Sequence, residues 1–420
     1  MVPGAYTPAG GLDLEDPTST LFQLALGVRP PWRVEKIAFD PNQRRLDIQL
    51  DFERGARFQC PECKAGDCPV HDTTEKEWRH LNFFQHEAYL HARVPRVRCD
   101  QHGVRQVEVP WAREGSGFTL LFEALAMVLM REMPVKAASR IVGEQDTRLW
   151  RVLMHYVEVA RSLEDFSELS QVGVDETSHR RGHDYVSVFV DLDRSKVAFV
   201  TPTREKKVMA EFKTDLEAHG GYAAKIANFS ADLWQPYRDG IREHFPNAQL
   251  TIDRYHILQL LNRAVDEVRR REQRIQPGLK QTRYIWLKKP SNLSARQRED
   301  LPYLRRRHRK TARAYELKLE FEDLWQLSAA EAPHYLDDWC ARVYRTHKGL
   351  DPLKDFVDTI DAHWDDMLRW FQTRITNGVL EAINSLVQAA KRRARGYRTD
   401  RHYIAMIYMT AGKLNFGLPT

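Results

Sequence analysis

Two short stretches near the amino terminus carry ligands that suit a borderline-soft metal. Cys60-Pro-Glu-Cys63 and Cys99-Asp-Gln-His102 each present two donors from a tight turn. Four such donors satisfy a tetrahedral zinc ion and leave no position open for chemistry, so the set Cys60, Cys63, Cys99 and His102 points to a structural zinc held by a β-rich ribbon. Cys68-Pro-Val-His71 stands at ligand spacing too, and leaves a second site or an exchanged ligand open. Cys340 stands alone in a helical region and reads as core.

A second constellation is acidic and spread along the polymer. Asp175 ends the apolar run Val172-Gly-Val-Asp, where a side chain projects from a sheet edge, and Asp232 opens the loop after the strand expected over Ile226–Phe229. If the strands they follow are neighbours, the two carboxylates meet at one edge, close enough to bridge a pair of divalent cations. Glu381 supplies the third acid from a helix whose stripe Leu380, Ile383, Val387 and Ala390 is apolar. Glu381, Asn384, Gln388, Lys391 and Arg395 share another stripe, which puts a carboxylate for metal beside cations for phosphate. Metal-dependent cleavage and joining of phosphodiesters, with two Mg²⁺ ions for which Mn²⁺ can substitute, is the chemistry this set suits. Glu176, Asp191, Asp193 and Asp253 fit a looser acidic pattern, and strand ends and helix faces give any such acid an ordinary place.

These residues need elements to position them. Residues 1–31 read as a leader, and 32–115 alternate as in small antiparallel strands, for example Arg45-Leu-Asp-Ile-Gln-Leu-Asp-Phe. Residues 116–164 read as a helix-turn-helix. Helices over Leu121–Arg131, from Pro134 to Gly143 and from Thr147 to Ala160 would present Arg148 and Arg151 to a DNA groove. Over 165–256 three strands, a helix, a strand, a helix and a strand follow in turn, the order of a ribonuclease H-like sheet in which the first and fourth strands lie side by side. Residues 257–372 form a basic helical insertion with Tyr284, Trp286 and Trp325 interleaved, candidates for stacking on bases. Residues 373–420 return to the core with the Glu381 helix. The fold class is therefore α/β multidomain: a ribonuclease H-like core with a helical insertion, preceded by a zinc module and a helix-turn-helix.

Composition sets the limits. In 420 residues, 42% hydrophobic content supports several buried cores, and a net charge of +6 is too small to identify a partner by itself. Its distribution is more telling, because basic residues crowd at Arg269–Arg274, Lys280–Lys289, Arg305–Lys310 and Lys391–Arg398. No apolar run is long enough to cross a bilayer and no signal peptide pattern opens the chain, so the expectation is a soluble, intracellular protein.

Taken together, these stretches resemble the ISL-three family of bacterial insertion-sequence transposases. The likeness runs from about Phe58 to Phe416. It is carried by the two knuckles, Gly173-Val-Asp-Glu-Thr, Phe229-Ser-Ala-Asp-Leu-Trp-Gln-Pro-Tyr, Asp253-Arg-Tyr-His-Ile, Thr376-Asn-Gly-Val-Leu-Glu-Ala-Ile-Asn and Lys391-Arg-Arg-Ala-Arg-Gly-Tyr-Arg. The resemblance implies a DDE transposase that binds terminal inverted repeats, cleaves strands and transfers them to target DNA, as a homo-oligomer that is at least a dimer on DNA. It also implies a bacterial cytoplasm and association with the nucleoid. By that likeness Asp175, Asp232 and Glu381 match the three acids. Asp253 and His256 match an Asp-x-x-His motif, and Lys391, Arg392, Arg393, Arg395 and Arg398 are DNA contacts. The second knuckle usually holds two cysteines in this family, so His102 is a departure. The rival readings are a ribonuclease H-like nuclease or resolvase that does not join ends, and a non-catalytic zinc and helix-turn-helix regulator.

Overall fold

The computed structural model describes residues 17–180, 184–203, 205–345, 349–375 and 378–419. The chain divides into two compact units. One reaches Tyr156 and takes in the last residues from Phe416, and the other runs from Val157 to Asn415.

The first unit opens with α1 (Pro17–Ala25), inside the stretch expected to be leader. Phe22 and Leu26 pack on the core of the sheet, and the Gln23 side chain accepts a hydrogen bond from the Val34 amide at 3.0 Å, so this helix is part of the fold. Strands β1 (Trp32–Asp40), β2 (Arg45–Phe52), β3 (Arg57–Phe58), β4 (Cys68–Phe83) and β5 (His86–Cys99) pair in the order β1-β2-β5-β4-β3, and β6 (Gly103–Gln106) adds to the end of β5. Alternation fixes their faces. Leu46, Ile48 and Leu50 of β2 and Ala88, Leu90, Ala92 and Val94 of β5 are buried, while the residues between them are more exposed. Trp111 lies edge-on to Trp32 and Trp78, with ring centroids 4.9 and 5.7 Å away.

Three helices follow. Thr119 caps α2 (Leu120–Glu132) by accepting from the Phe122 amide. Gly143, at φ +74°, ends α3 (Val135–Val142) in the left-handed conformation that glycine tolerates best, and the chain turns into α4 (Asp146–Ser162). Ala138, Leu149 and Leu153 are fully buried. The most buried acid here is Glu123, which accepts from Arg113 at 3.0 Å, from Ser116 at 2.7 Å and from the Tyr156 hydroxyl at 3.1 Å. It thereby ties α4 to α2 and to the chain before it.

The second unit is built on β7 (Gln171–Arg180), β8 (Asp184–Asp191), β9 (Lys196–Pro202), β10 (Asn228–Ala231) and β11 (Gln249–Ile252). Their order is β11-β10-β7-β8-β9, with β7, β8 and β9 antiparallel and β7, β10 and β11 parallel. Between them α5 (Lys207–Ala218) and α6 (Gln235–His244) make the crossovers that parallel strands require. Phe166, Phe189, Phe212, Phe229 and Phe245 fill the core beside the sheet. As the sequence predicts, the first and fourth strands are neighbours. One boundary moves: β10 starts two residues later than expected, because Ala223–Lys225 is a short 3-10 turn, and the shift brings Asp232 directly to the strand end.

The helical region after β11 comprises α7 (Arg254–Ile275), α8 (Arg283–Leu287), α9 (Ala295–Arg307), α10 (Arg309–Asp323), α11 (Ala332–Arg345), α12 (Asp351–Ala362), α13 (Trp364–Leu368) and α14 (Trp370–Thr373). Its core corrects an expectation. Trp286 and Trp325 are 0% and 9% exposed among Trp339, Phe356 and Trp370, so they hold the region together instead of facing bases, whereas Tyr284 is 61% exposed. The chain then returns to the sheet with α15 (Gly378–Ala394) and α16 (Asp400–Ala411). The sequence shows one helix in this stretch, that of Glu381, and the structure adds α16, whose Tyr408 hydroxyl accepts from the Val200 amide of β9 at 3.0 Å. Thr376 and Asn377, part of the motif before Glu381, lie outside the described residues.

Glu123→Ala removes one partner from a buried ionic network and strands Arg113 and Tyr156. It is expected to lower the stability of the first unit by about 3 kcal/mol. Urea unfolding followed by tryptophan fluorescence reads this, and Glu123→Gln, which keeps the hydrogen-bonding shape, should lose less.

Candidate active site

Strand register gathers the acids. Asn228, Phe229 and Ser230 of β10 pair with Gln171, Val172 and Gly173 of β7, and Ala231 pairs with Ile252 of β11. Continued one residue past the ends of β10 and β11, this register sets Asp232 level with Asp175 on one side and with Asp253 on the other. Asp175 itself lies inside β7, which pairs with β8 as far as Arg180, and not at the strand end that the sequence suggests. Adjacent strands run about 4.8 Å apart, so three aspartates occupy one level of three parallel strands.

The fourth acid arrives on α15, which lies along β7 in a repeating four-residue step. Gly173 makes the close approach possible, since a Cβ there would stand 2.7 Å from Leu380 Cδ1. One turn on, Asn384 Nδ2 donates to Asp175 Oδ2 at 2.7 Å. A further turn on, Gln388 Nε2 donates to Thr177 Oγ1 at 2.8 Å and to the Ser178 carbonyl at 3.0 Å, and Lys391 Nζ donates to the same carbonyl at 2.5 Å. Glu381, beside Leu380, is exposed on this docked helix, and its charge acts on Asp253. The sequence reading placed Asn384 and Gln388 on the Glu381 stripe without a task. Their polar character on a face that meets a strand was the available signal.

The electrostatics follow from crowding. Burial, with the charges of Asp232 and Asp253 adding to it, lifts the Asp175 carboxyl to about 6. The Glu176 amide, 2.8 Å from Asp175 Oδ1, and His256 pull the other way. Burial likewise raises Asp253, and the charge of Glu381 adds to that. A cluster of like charges in which burial penalises ionisation is one that a divalent cation stabilises. Among the described residues two groups of metal-ligating side chains have all their ligand atoms within 4.8 Å of one another, and Asp175, Asp232 and Glu381 are not one of them. Holding two divalent ions would not require it, because ligands of different ions need not touch. The looser acidic candidates have other tasks. Asp191 accepts from the Arg194 amide at 2.9 Å, Asp193 accepts from Gln171 Nε2 at 2.9 Å, and Glu176 follows Asp175 on an alternating strand and acts on buried Tyr237.

The cysteine knuckles do converge. Cys60, Cys63, Cys99 and His102 lie within 4.8 Å of one another, with Cys63 Sγ to Cys99 Sγ and Cys99 Sγ to His102 Nδ1 at 3.7 Å and Cys60 Sγ to His102 Nδ1 at 3.8 Å. Zn–S bonds of about 2.3 Å at the tetrahedral angle separate two sulfurs by about 3.8 Å, so the set fits a structural zinc ion. Glu62 Oε2 stands 3.5 Å from His102 Nε2 and orients the ring, a partner that sequence reading missed. Of the competing pair, Cys68 lies beside this set, where burial and the charges of Cys99 and Cys60 push its thiol up, but its Sγ turns to the Ala65 carbonyl at 3.6 Å, and His71 pairs with Asp72 at 3.1 Å.

The expected DNA contacts divide into two groups. Arg148 is held by Glu144 at 2.6 Å with its guanidinium 4.1 Å over the Phe118 ring, and Lys391 is spent on β7, so both serve internal contacts. Arg151 is exposed on α4, and Arg392, Arg393, Arg395 and Arg398 are exposed at the end of α15 and just after it. Several of the latter line a cavity of about 700 Å³ together with Ser178, Arg180 and Tyr397.

Metal analysis of the purified chain is expected to find a single zinc, retained in Cys68→Ser and lost in Cys99→Ser; the opposite pattern would move the site to the other pair. The acid cluster makes a second prediction. Because folding raises the Asp175 pKa from 3.8 to about 6, the folded protein binds more protons than the unfolded chain between those values, and stability falls as pH rises through that window. Asp175→Asn removes the penalty. In metal-free buffer it should match the wild-type melting midpoint near pH 4 and exceed it by roughly 2–4 °C at pH 7. Added Mg²⁺ should close that gap by stabilising the wild type alone.

Comparison with known proteins bears on all three regions. The zinc-finger of transposases IS204/IS1001/IS1096/IS1165 matches residues 56–102, the helix-turn-helix domain of transposase family ISL3 matches residues 107–157, and the ISL3 DDE transposase matches residues 172–407. The transposase for insertion sequence element IS1557 of Mycobacterium tuberculosis is 27% identical over 431 residues, spanning 93% of this chain and 95% of that protein. The transposase for insertion sequence element IS1001 of Bordetella parapertussis is 25% identical over 397 residues, spanning 91% and 96%. With the catalytic match alone covering more than half of its length, this chain belongs to the ISL3 family of DDE transposases, enzymes that act on DNA.

Proposed function

We propose that this transposase binds the terminal inverted repeats of an insertion sequence and catalyses Mg²⁺-dependent strand cleavage and strand transfer on a ribonuclease H-like core. The observation that carries the reading is the single level that Asp175, within β7, shares with Asp232 and Asp253, each just past the end of its strand, with the Glu381 helix docked against β7 through Gly173 and Asn384. The strand order supports the core assignment, since the first strand lies between the second and the fourth.

In this reading Asp175, Asp232 and Glu381 would hold two divalent ions, which when bound would supply an activated water and charge neutralisation at the scissile phosphate. Asn384 and the Glu176 amide fix the Asp175 carboxylate by one hydrogen bond to each oxygen, so its orientation is set before substrate arrives. The exposed arginines Arg392, Arg393, Arg395 and Arg398 meet the flanking backbone, and Arg151 contacts DNA from the helix-turn-helix. His256, one turn into α7, offsets negative charge at Asp175 and Asp253. Joining two element ends calls for more than one protomer on DNA. No helix among the described residues is long and apolar enough to cross a membrane, in keeping with action on the bacterial chromosome.

The experiment is Glu381→Gln with Mg²⁺, linear DNA carrying both element ends and a plasmid target. The variant should shift end DNA in a gel as the wild type does and lose cleavage and joining by on the order of 10³-fold or more. Nicks without joined product in the wild type would favour a nuclease, and unchanged function in the variant would favour a regulator.

A further inference from the structure

We infer that Asp253 is itself a ligand of the divalent-metal site, a fourth carboxylate beside Asp175, Asp232 and Glu381. The inference rests on the metal-dependent reading above and extends it to a residue that the three-acid scheme leaves without a task.

Asp253 is 3% exposed, and its Oδ2 has no hydrogen-bond partner. It occupies the N-cap position of α7, a helix of 22 residues; the Tyr255 amide acts on its carboxyl, yet no capping hydrogen bond of full geometry forms and Oδ2 is left unanswered. Other buried acids of the same unit are answered by donors or cations, and even Glu322, whose Oε2 also lacks a hydrogen bond, has Lys289 3.4 Å from that oxygen. Glu272 accepts from the amide and the hydroxyl of Thr311 at 2.8 and 2.6 Å, and Glu322 accepts from Lys318 at 2.6 Å. The adjacent Arg254 is exposed and its guanidinium lies 5.4 Å over the Trp370 ring.

A buried carboxylate with an unanswered oxygen is costly and is relieved by a proton or by a cation. A proton would help Asp253 alone and would create a donor that itself needs an acceptor. A divalent cation answers Asp253 together with the acids around it: Asp232, level with it on the next strand, Asp175, which feels its charge, and Glu381, whose charge it feels. Asp253 thus stands where the strand-borne acids and the helix-borne acid meet. An oxygen-rich set of four carboxylates is also what hard divalent ions take.

The test is calorimetric titration of the full-length, zinc-loaded chain with Mn²⁺, comparing wild type, Asp175→Asn and Asp253→Asn. The expected result is that Asp253→Asn weakens Mn²⁺ binding tenfold or more, or removes one of two ions, while its metal-free melting midpoint is no lower than that of the wild type. Wild-type affinity and stoichiometry in Asp253→Asn, with binding lost in Asp175→Asn, would overturn the inference and leave the metal-dependent reading standing. Absence of Mn²⁺ binding by the wild type would overturn both. If Asp253→Asn does not fold, Asp253→Ser, smaller than the native side chain and uncharged, carries the same expectation.

Discussion

Parallel strands in register put residues of one level side by side, and at the level where β10 and β11 end, while β7 runs on to Arg180, those residues are aspartates. Nothing in a sheet edge favours three carboxylates in a row. Burial already disfavours their charge, and each neighbour adds to the penalty. Much of the second unit can be understood as the scaffold that enforces this arrangement. Phenylalanines pack beside the sheet, two crossover helices set the parallel strands, and a glycine lets a helix bearing one more acid settle against β7. Stability given up at such an edge is ordinary at functional sites, where local rules are broken for chemistry.

The first unit solves a different problem by a related device. A small β-rich module has limited core, and three cysteines and a histidine close it where hydrophobic packing is thin. The buried Glu123 network does comparable work for the helices, fixing α4 by its tyrosine and thereby orienting the face on which Arg151 is exposed. Each unit therefore places its polar chemistry at points that apolar packing alone leaves undetermined.

How much of this the sequence disclosed depends on how local each signal is. The knuckles are local, and Cys60, Cys63, Cys99 and His102 come together as their spacing predicts. Alternation in β2 is local as well. Short apolar runs are ambiguous, which is why β10 moved by two residues, and a register cannot be read from one strand. Tryptophans in a basic stretch resemble a stacking surface until their partners are known; Trp286 and Trp325 turned inward because a helical region needs a core of its own. Lys391 shows the same limit, since the Ser178 carbonyl that occupies it comes from elsewhere in the fold, whereas Glu144, which holds Arg148, stands only four residues before it. Asn384 was visible only as a polar residue on a promising stripe, and its bond to Asp175 joins positions 209 residues apart.

The central claim is that separated acids close around divalent ions at the end of the central sheet. Anomalous scattering from crystals of the intact protein soaked in Mn²⁺ tests it most directly. The account predicts two peaks about 3.5–4 Å apart, each in contact with carboxylate oxygens from among Asp175, Asp232 and Glu381. Mn²⁺ bound only elsewhere, with these carboxylates ordered and metal-free, would contradict it.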